Sequence, residues 1–136
     1  CLNWLSGFFA IAFYDSVEKK ILLARDRFGK KPLLIYEVGK TLIFGSELKS
    51  IFPLINDPQL DYYSLFHYFK FNYVAPHSIM LTAVRKLSPA SYLFYSSEGC
   101  TEEKKYYSIK LQKARYNDLS YEQAQDELVK LMFHSV

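Results

Sequence analysis

An N-terminal cysteine can use its own α-amino group as the base that activates its thiol as a nucleophile, and Cys1 is a candidate for that role. Such a nucleophile also needs a pair of oxyanion donors aimed at the same carbonyl. A second cluster, Arg25-Asp26-Arg27-Phe28-Gly29-Lys30-Lys31-Pro32, sets four cations around one glycine and invites comparison with a phosphate cradle. A cradle, however, needs several backbone N–H groups opening a helix. Here Pro32 removes one N–H and a strand-like run follows, so the segment reads as a hairpin connection held by Arg25 and Asp26. His67, His77 and His134 lack a His-x-x-x-His spacing, and Cys1 and Cys100 form no Cys-x-x-Cys pair, so no metal site is expected. Tyr62, Phe66 and Phe69 recur at helical spacing and read as core packing, not as a base-stacking platform.

The elements that must position these residues belong to one globular unit. The 136 residues suffice for one domain, and a chain that is 50% hydrophobic with 12 Tyr and 11 Phe needs a large buried surface. Its formal charge of +3, with the two signs interspersed, is too mild for a nucleic-acid partner. The apolar run from Phe8 to Tyr14 is far shorter than the ~20 residues of a membrane span, so no membrane partner is expected and the cytoplasm is the default location.

Short strands are expected at Phe8 to Tyr14, Ile21 to Ala24, Leu33 to Val38 and Leu42 to Phe44, separated by turn signals and paired antiparallel as a β-meander. Both faces of the first are apolar, which places it inside a layered core. Glu47 to Phe52 predicts a helical turn stopped by Pro53, and Asp61 caps a helix to about Phe71, with Pro76 closing that unit. Ile79 to Leu87 is ambiguous, Ser91 to Tyr95 reads as a strand, and Ser97-Glu98-Gly99 turns it into Lys105 to Ile109. Asn117 to Ser120 reads as a boundary, Ser120 with Gln123 makes a capping box, and Leu128, Leu131 and Met132 form a helical stripe.

Five segments in order carry a family resemblance. Gly7-Phe8-Phe9-Ala10-Ile11-Ala12-Phe13-Tyr14-Asp15, Ala24-Arg25-Asp26-Arg27-Phe28-Gly29-Lys30-Lys31-Pro32-Leu33 and Ser46-Glu47-Leu48-Lys49 resemble the later part of the amidotransferase domain of glutamine-hydrolysing asparagine synthetases. Phe69-Lys70-Phe71-Asn72-Tyr73-Val74-Ala75-Pro76-His77-Ser78-Ile79 and Arg85-Lys86-Leu87-Ser88-Pro89-Ala90-Ser91-Tyr92-Leu93 resemble the segments that follow there, with Ala90 where glycine is common.

The resemblance implies an α+β fold: the antiparallel β-sheet part of an N-terminal nucleophile αββα sandwich, followed by linker helices and a hairpin. Residues 1–60 would be the C-terminal strands of the amidotransferase domain, 61–116 the linking helix and hairpin, and 117–136 the first helix of a synthetase domain. The chain is thus expected to be a fragment, with both ends cut through a larger protein. The implied parent hydrolyses glutamine, passes ammonia through a tunnel and amidates aspartate through an acyl-adenylate, using ATP and Mg, and could be a homodimer. Phe8 would lie on the tunnel. No catalytic, cofactor or metal residue is expected on the chain itself. The family nucleophile is followed by Gly-Ile, whereas Cys1 is followed by Leu2 and Asn3; no Asn precedes a Gly; and the pyrophosphate loop needs paired glycines where all five here are isolated. Another amide-forming family member, or a non-catalytic interaction module, is the alternative.

Overall fold

In the computed structural model, residues 1–75, 78–100, 102–109 and 118–135 are described, apart from the side chain of Cys100. Expectations for Pro76, His77 and Asn117 fall outside them.

The first hairpin joins β1 (Ala10–Asp15) to β2 (Lys20–Arg25), in register from Ala10 opposite Arg25 to Asp15 opposite Lys20. Its turn is closed by Asp15, whose Oδ1 accepts the N–H groups of Val17 and Glu18 at 2.9 and 3.0 Å; an Asp bonding the backbone two residues on is the usual device of such turns. A second hairpin joins β3 (Leu34–Val38) to β4 (Thr41–Gly45). The two hairpins are not consecutive in one sheet. β2 pairs with β6 (Ser91–Ser96), β6 also pairs with β7 (Gly99–Cys100) and β8 (Lys104–Lys105), and β3 pairs with β5 (Val84–Lys86). The β-meander expectation is therefore corrected to two antiparallel sheets, ordered β1-β2-β6-β7 and β4-β3-β5.

Packing explains the split. Leu23 and Leu93 from the first sheet meet Leu33, Ile35 and Leu87 in one core, while Leu34 and Tyr36, on the opposite face of β3, join Ile51, Ile55, Ile79, Leu81 and Val84 in another. β3 is thus buried on both faces, between the first sheet and a layer formed by α1 (Leu48–Ile51), the 3₁₀ turn Phe52–Leu54 and the 79–81 segment. Continuing the meander by pairing β3 with β2 would expose one of these apolar faces.

β1, expected inside the core, is an edge strand: Ala12, Phe13 and Tyr14 are exposed because no further strand flanks it among the described residues. α2 (Tyr62–Phe71) starts where expected. Asp61 Oδ1 accepts the Tyr63 N–H at 3.1 Å, and Asn72 ends the helix in the left-handed region. The core role expected of Tyr62, Phe66 and Phe69 is not observed, since they are 76, 60 and 76% exposed and only Ser64 of this helix is buried. The helix is anchored at its start, by the Leu60–Leu81 bridge and the Asp61 N–H to the Met80 carbonyl. Its rings then pack on one another, as in Tyr63 on His67 at 4.4 Å.

The strand expected at 105–109 is confined to β8: the Tyr106 N–H still reaches the Ala90 carbonyl, but the Ala90 N–H is given to the Asp26 carbonyl and does not return the bond. α3 (Tyr121–Ser135) opens on the expected capping box: Ser120 N–H donates to Gln123 Oε1 at 2.9 Å, and Gln123 N–H donates to Ser120 Oγ at 3.3 Å. None of its residues is buried, the Leu128, Leu131 and Met132 stripe included. No helix among the described residues is long and apolar enough to cross a membrane.

Candidate functional site

The polar chemistry of the molecule is densest where the chain leaves β2 for β3. Arg25 and Asp26 are buried there, at 6 and 1% exposure. Arg25 Nε donates to the Lys31 carbonyl at 2.7 Å, Nη1 to the Leu87 carbonyl at 2.6 Å and Nη2 to the Gly29 carbonyl at 2.6 Å. Asp26 does the converse with N–H groups. Its Oδ1 accepts from Phe28 and Lys30 at 3.1 and 3.0 Å, and its Oδ2 accepts from Lys31 at 2.9 Å.

The Asp26 backbone ties three segments together: its N–H donates to the Phe9 carbonyl, and its carbonyl accepts from Gly29 and Ala90. Gly29 is required at the bend twice over. Its φ is +64°, and a Cβ there would lie 2.9 Å from both Arg25 Cζ and Pro89 Cγ.

Burial pushes the Asp26 carboxyl up, but the amides of Lys31, Lys30, Phe28 and Phe9 outweigh it and hold the group below its ordinary value of 3.8. Burial lowers the Arg25 guanidinium, opposed by the neighbouring Asp26 charge. Lys86 is lowered by burial and by Arg25, and Tyr106, whose hydroxyl donates to the Arg25 carbonyl at 2.9 Å, is raised by burial and by Asp26.

This arrangement decides between the two readings of the basic cluster. The N–H groups of Phe28, Lys30 and Lys31 at the Gly29 bend are taken by the Asp26 carboxylate, and that of Gly29 by the Asp26 carbonyl. The turn is a self-satisfied structural knot, and these residues do not fit ATP or a magnesium–phosphate group.

The other candidates lie apart from it. Phe8 precedes β1 and is 63% exposed, its neighbour Phe9 being held by Asp26. Cys1 is exposed and unbridged, and it lines an apolar cavity of about 630 Å³ on the outer face of the first sheet with Leu2, Ile11, Phe13 and Leu22. His67 sits among the α2 rings, and His134 is exposed in the last turn of α3. Among the described residues, no three His, Cys, Asp or Glu side chains gather as a metal site.

Sequence reasoning missed one polar chain. Arg85 on β5 donates Nη2 to Glu37 at 2.9 Å and Nη1 to Glu103 at 3.0 Å, and Glu103 also accepts the Ser88 N–H at 3.0 Å. The like-charged pairs Arg85-Lys86 and Glu102-Glu103 give no clue to this pairing, which depends on β5 lying beside β3.

Comparison with known proteins sets this geometry in context. Residues 1–107 match the glutamine amidotransferase domain family. The chain is 31% identical over 126 residues, 93% of its length, to an asparagine synthetase [glutamine-hydrolyzing] 1 of Bacillus subtilis (strain 168), and covers 19% of that protein. A putative asparagine synthetase [glutamine-hydrolyzing] of Mycobacterium bovis is 33% identical over 95 residues, 67% of this chain and 15% of that relative. An asparagine synthetase [glutamine-hydrolyzing] 2 of Bacillus subtilis reaches 52% over 46 residues, 34% of this chain and 6% of that relative. The chain thus spans less than a fifth of the length of these relatives.

Proposed function

Because the chain belongs to the glutamine amidotransferase domain family, we propose that it is the later, framework-forming part of that domain in a glutamine-dependent asparagine synthetase. The parent amidates aspartate with ammonia released from glutamine. The observation that carries this reading is the collinear similarity to a glutamine-hydrolysing asparagine synthetase along 93% of the chain.

The geometry supports a framework role. Releasing ammonia from glutamine needs a nucleophile, a base and oxyanion donors converging on one carbonyl. The described residues supply instead a pair of packed sheets and the Arg25–Asp26 knot that fixes how they cross. This chain therefore holds the sandwich together and has no glutaminase or synthetase activity alone. ATP, Mg²⁺ and the aspartate site belong, in this proposal, to the synthetase half of the parent, and Phe8 to the path of ammonia between the halves. Cytoplasmic location and a homodimeric parent are part of the same proposal.

The test is asparagine formation by the full-length gene product, supplied with aspartate and ATP·Mg²⁺ and with either glutamine or ammonium. Asparagine should form with both nitrogen sources. Asp26→Ala in the parent should abolish the glutamine-dependent reaction and spare the ammonium-dependent one. No asparagine from either source refutes the assignment, and an amide formed only on another carboxylic acid points to a different amide-forming member of the family.

A further inference from the structure

A cavity of about 600 Å³ opens beside the Arg25–Asp26 knot, between the 88–91 bend and the segment that follows β8. Its wall carries two cations, Arg27 and Lys105, and one carboxylate, Glu103. The carboxylate is already engaged at both oxygens, by Arg85 and by the Ser88 N–H, each at 3.0 Å. Neither cation takes part in an ion pair among the described residues. Arg27 donates one hydrogen bond, from Nη2 to the Asn3 carbonyl at 2.9 Å, and its guanidinium carbon lies 4.8 Å from the centre of the Tyr107 ring. Its Nε is buried without an acceptor among the described residues. The contrast with Arg25, which spends its donors on three carbonyls, those of Gly29 and Lys31 in the same turn and that of Leu87, is sharp.

We propose that this hollow is a binding site for a small oxyanion, a carboxylate or a phosphate group, with Arg27 as its principal cation. The donor set suits that chemistry. A guanidinium presents parallel N–H groups that match two oxygens of one anion, and the Tyr107 face holds its plane. Lys105 adds a second positive charge, and Ser88 and Ser108 line the same wall. The volume falls within the range of pockets that take small molecules. The proposal needs neither the framework role nor the parent's activity, although Arg27 and the 88–91 bend lie within segments that carry the family resemblance.

Titration calorimetry of the chain with sodium phosphate and with sodium acetate, against sodium chloride at matched ionic strength, tests it. Saturable binding is expected for at least one oxyanion: phosphate alone identifies a phosphate-bearing ligand, and acetate a carboxylate. Arg27→Gln should weaken binding by about tenfold and Lys105→Gln by about threefold, while Lys20→Gln, on the far face of the first sheet, should leave it unchanged. Circular dichroism checks that each variant folds, and if Arg27→Gln does not, Lys105→Gln alone must still weaken binding. No saturation with either oxyanion, chloride binding as strongly, or unchanged affinity in Lys105→Gln overturns the proposal.

Discussion

The Arg25–Asp26 turn and the outer face of the first sheet are built from neighbouring residues by opposite rules. In the turn, the two buried charged side chains find most of their partners close by: Asp26 takes amides two, four and five residues ahead, and Arg25 takes carbonyls four and six ahead plus the distant Leu87. On the outer face, Phe13 is 59% exposed beside Leu22 and Ile11 around a cavity lined mostly by apolar side chains. Hydrogen bonds are directional and costly to leave unmade, so a buried polar motif must arrive with its partners. Apolar surface is non-directional, and it specifies only that something should cover it.

Breaking the turn should therefore cost most. Asp26→Ala strands the Phe28, Lys30 and Lys31 amides beside a buried Arg25, and is expected to lose about 3–5 kcal/mol in denaturant unfolding. The same carboxylate gives a pH signature. Because its folded pKa lies below the ordinary 3.8, its contribution is fully present above that pH and is lost as pH falls through the depressed value. Asp26→Asn should flatten the fall in stability below about pH 4. Gly29→Ala comes next, at about 2–4 kcal/mol, from a disfavoured left-handed φ and a Cβ 2.9 Å from Arg25 and Pro89.

Ala90→Gly should act in the opposite direction. Ala90 holds a φ of 57° at the carbonyl that receives Tyr106, and glycine there relieves strain, raising stability by up to about 1 kcal/mol once the lost methyl is counted. The smallest folding effect belongs to the other region. Phe13→Ser should change stability by less than about 0.5 kcal/mol yet reduce self-association, which the wild-type chain should show in sedimentation velocity as a mass rising with concentration. A monodisperse wild-type monomer would show that the exposed face is not adhesive and would weaken the contrast between the regions.

Local signals in the sequence located the pieces well. The Asp15 turn, the Asp61 cap and the Ser120–Gln123 box each depend on residues within a few positions, and each forms as read. The role of Arg25 and Asp26 was legible for the same reason, because Pro32 and the run after it ruled out a helix. What failed was the partnership of elements. Nothing within β2 or β3 says that they lie in different sheets, since that depends on β6 and β5, some 50 or more residues later. The helical stripe of Tyr62, Phe66 and Phe69 was read as core because a period of 3.6 marks a face but not its cover. Arg27 drew notice only as part of a basic cluster; its isolation from acceptors depends on where Asn3 and Tyr107 arrive.

The claim that this chain supplies framework and no chemistry is tested most directly by incubating the purified chain with glutamine and following ammonia release, alongside Cys1→Ala. The account predicts no turnover above the uncatalysed background in either protein. Turnover that is present in the wild-type chain and disappears in Cys1→Ala would contradict it, and would identify Cys1 as a working nucleophile.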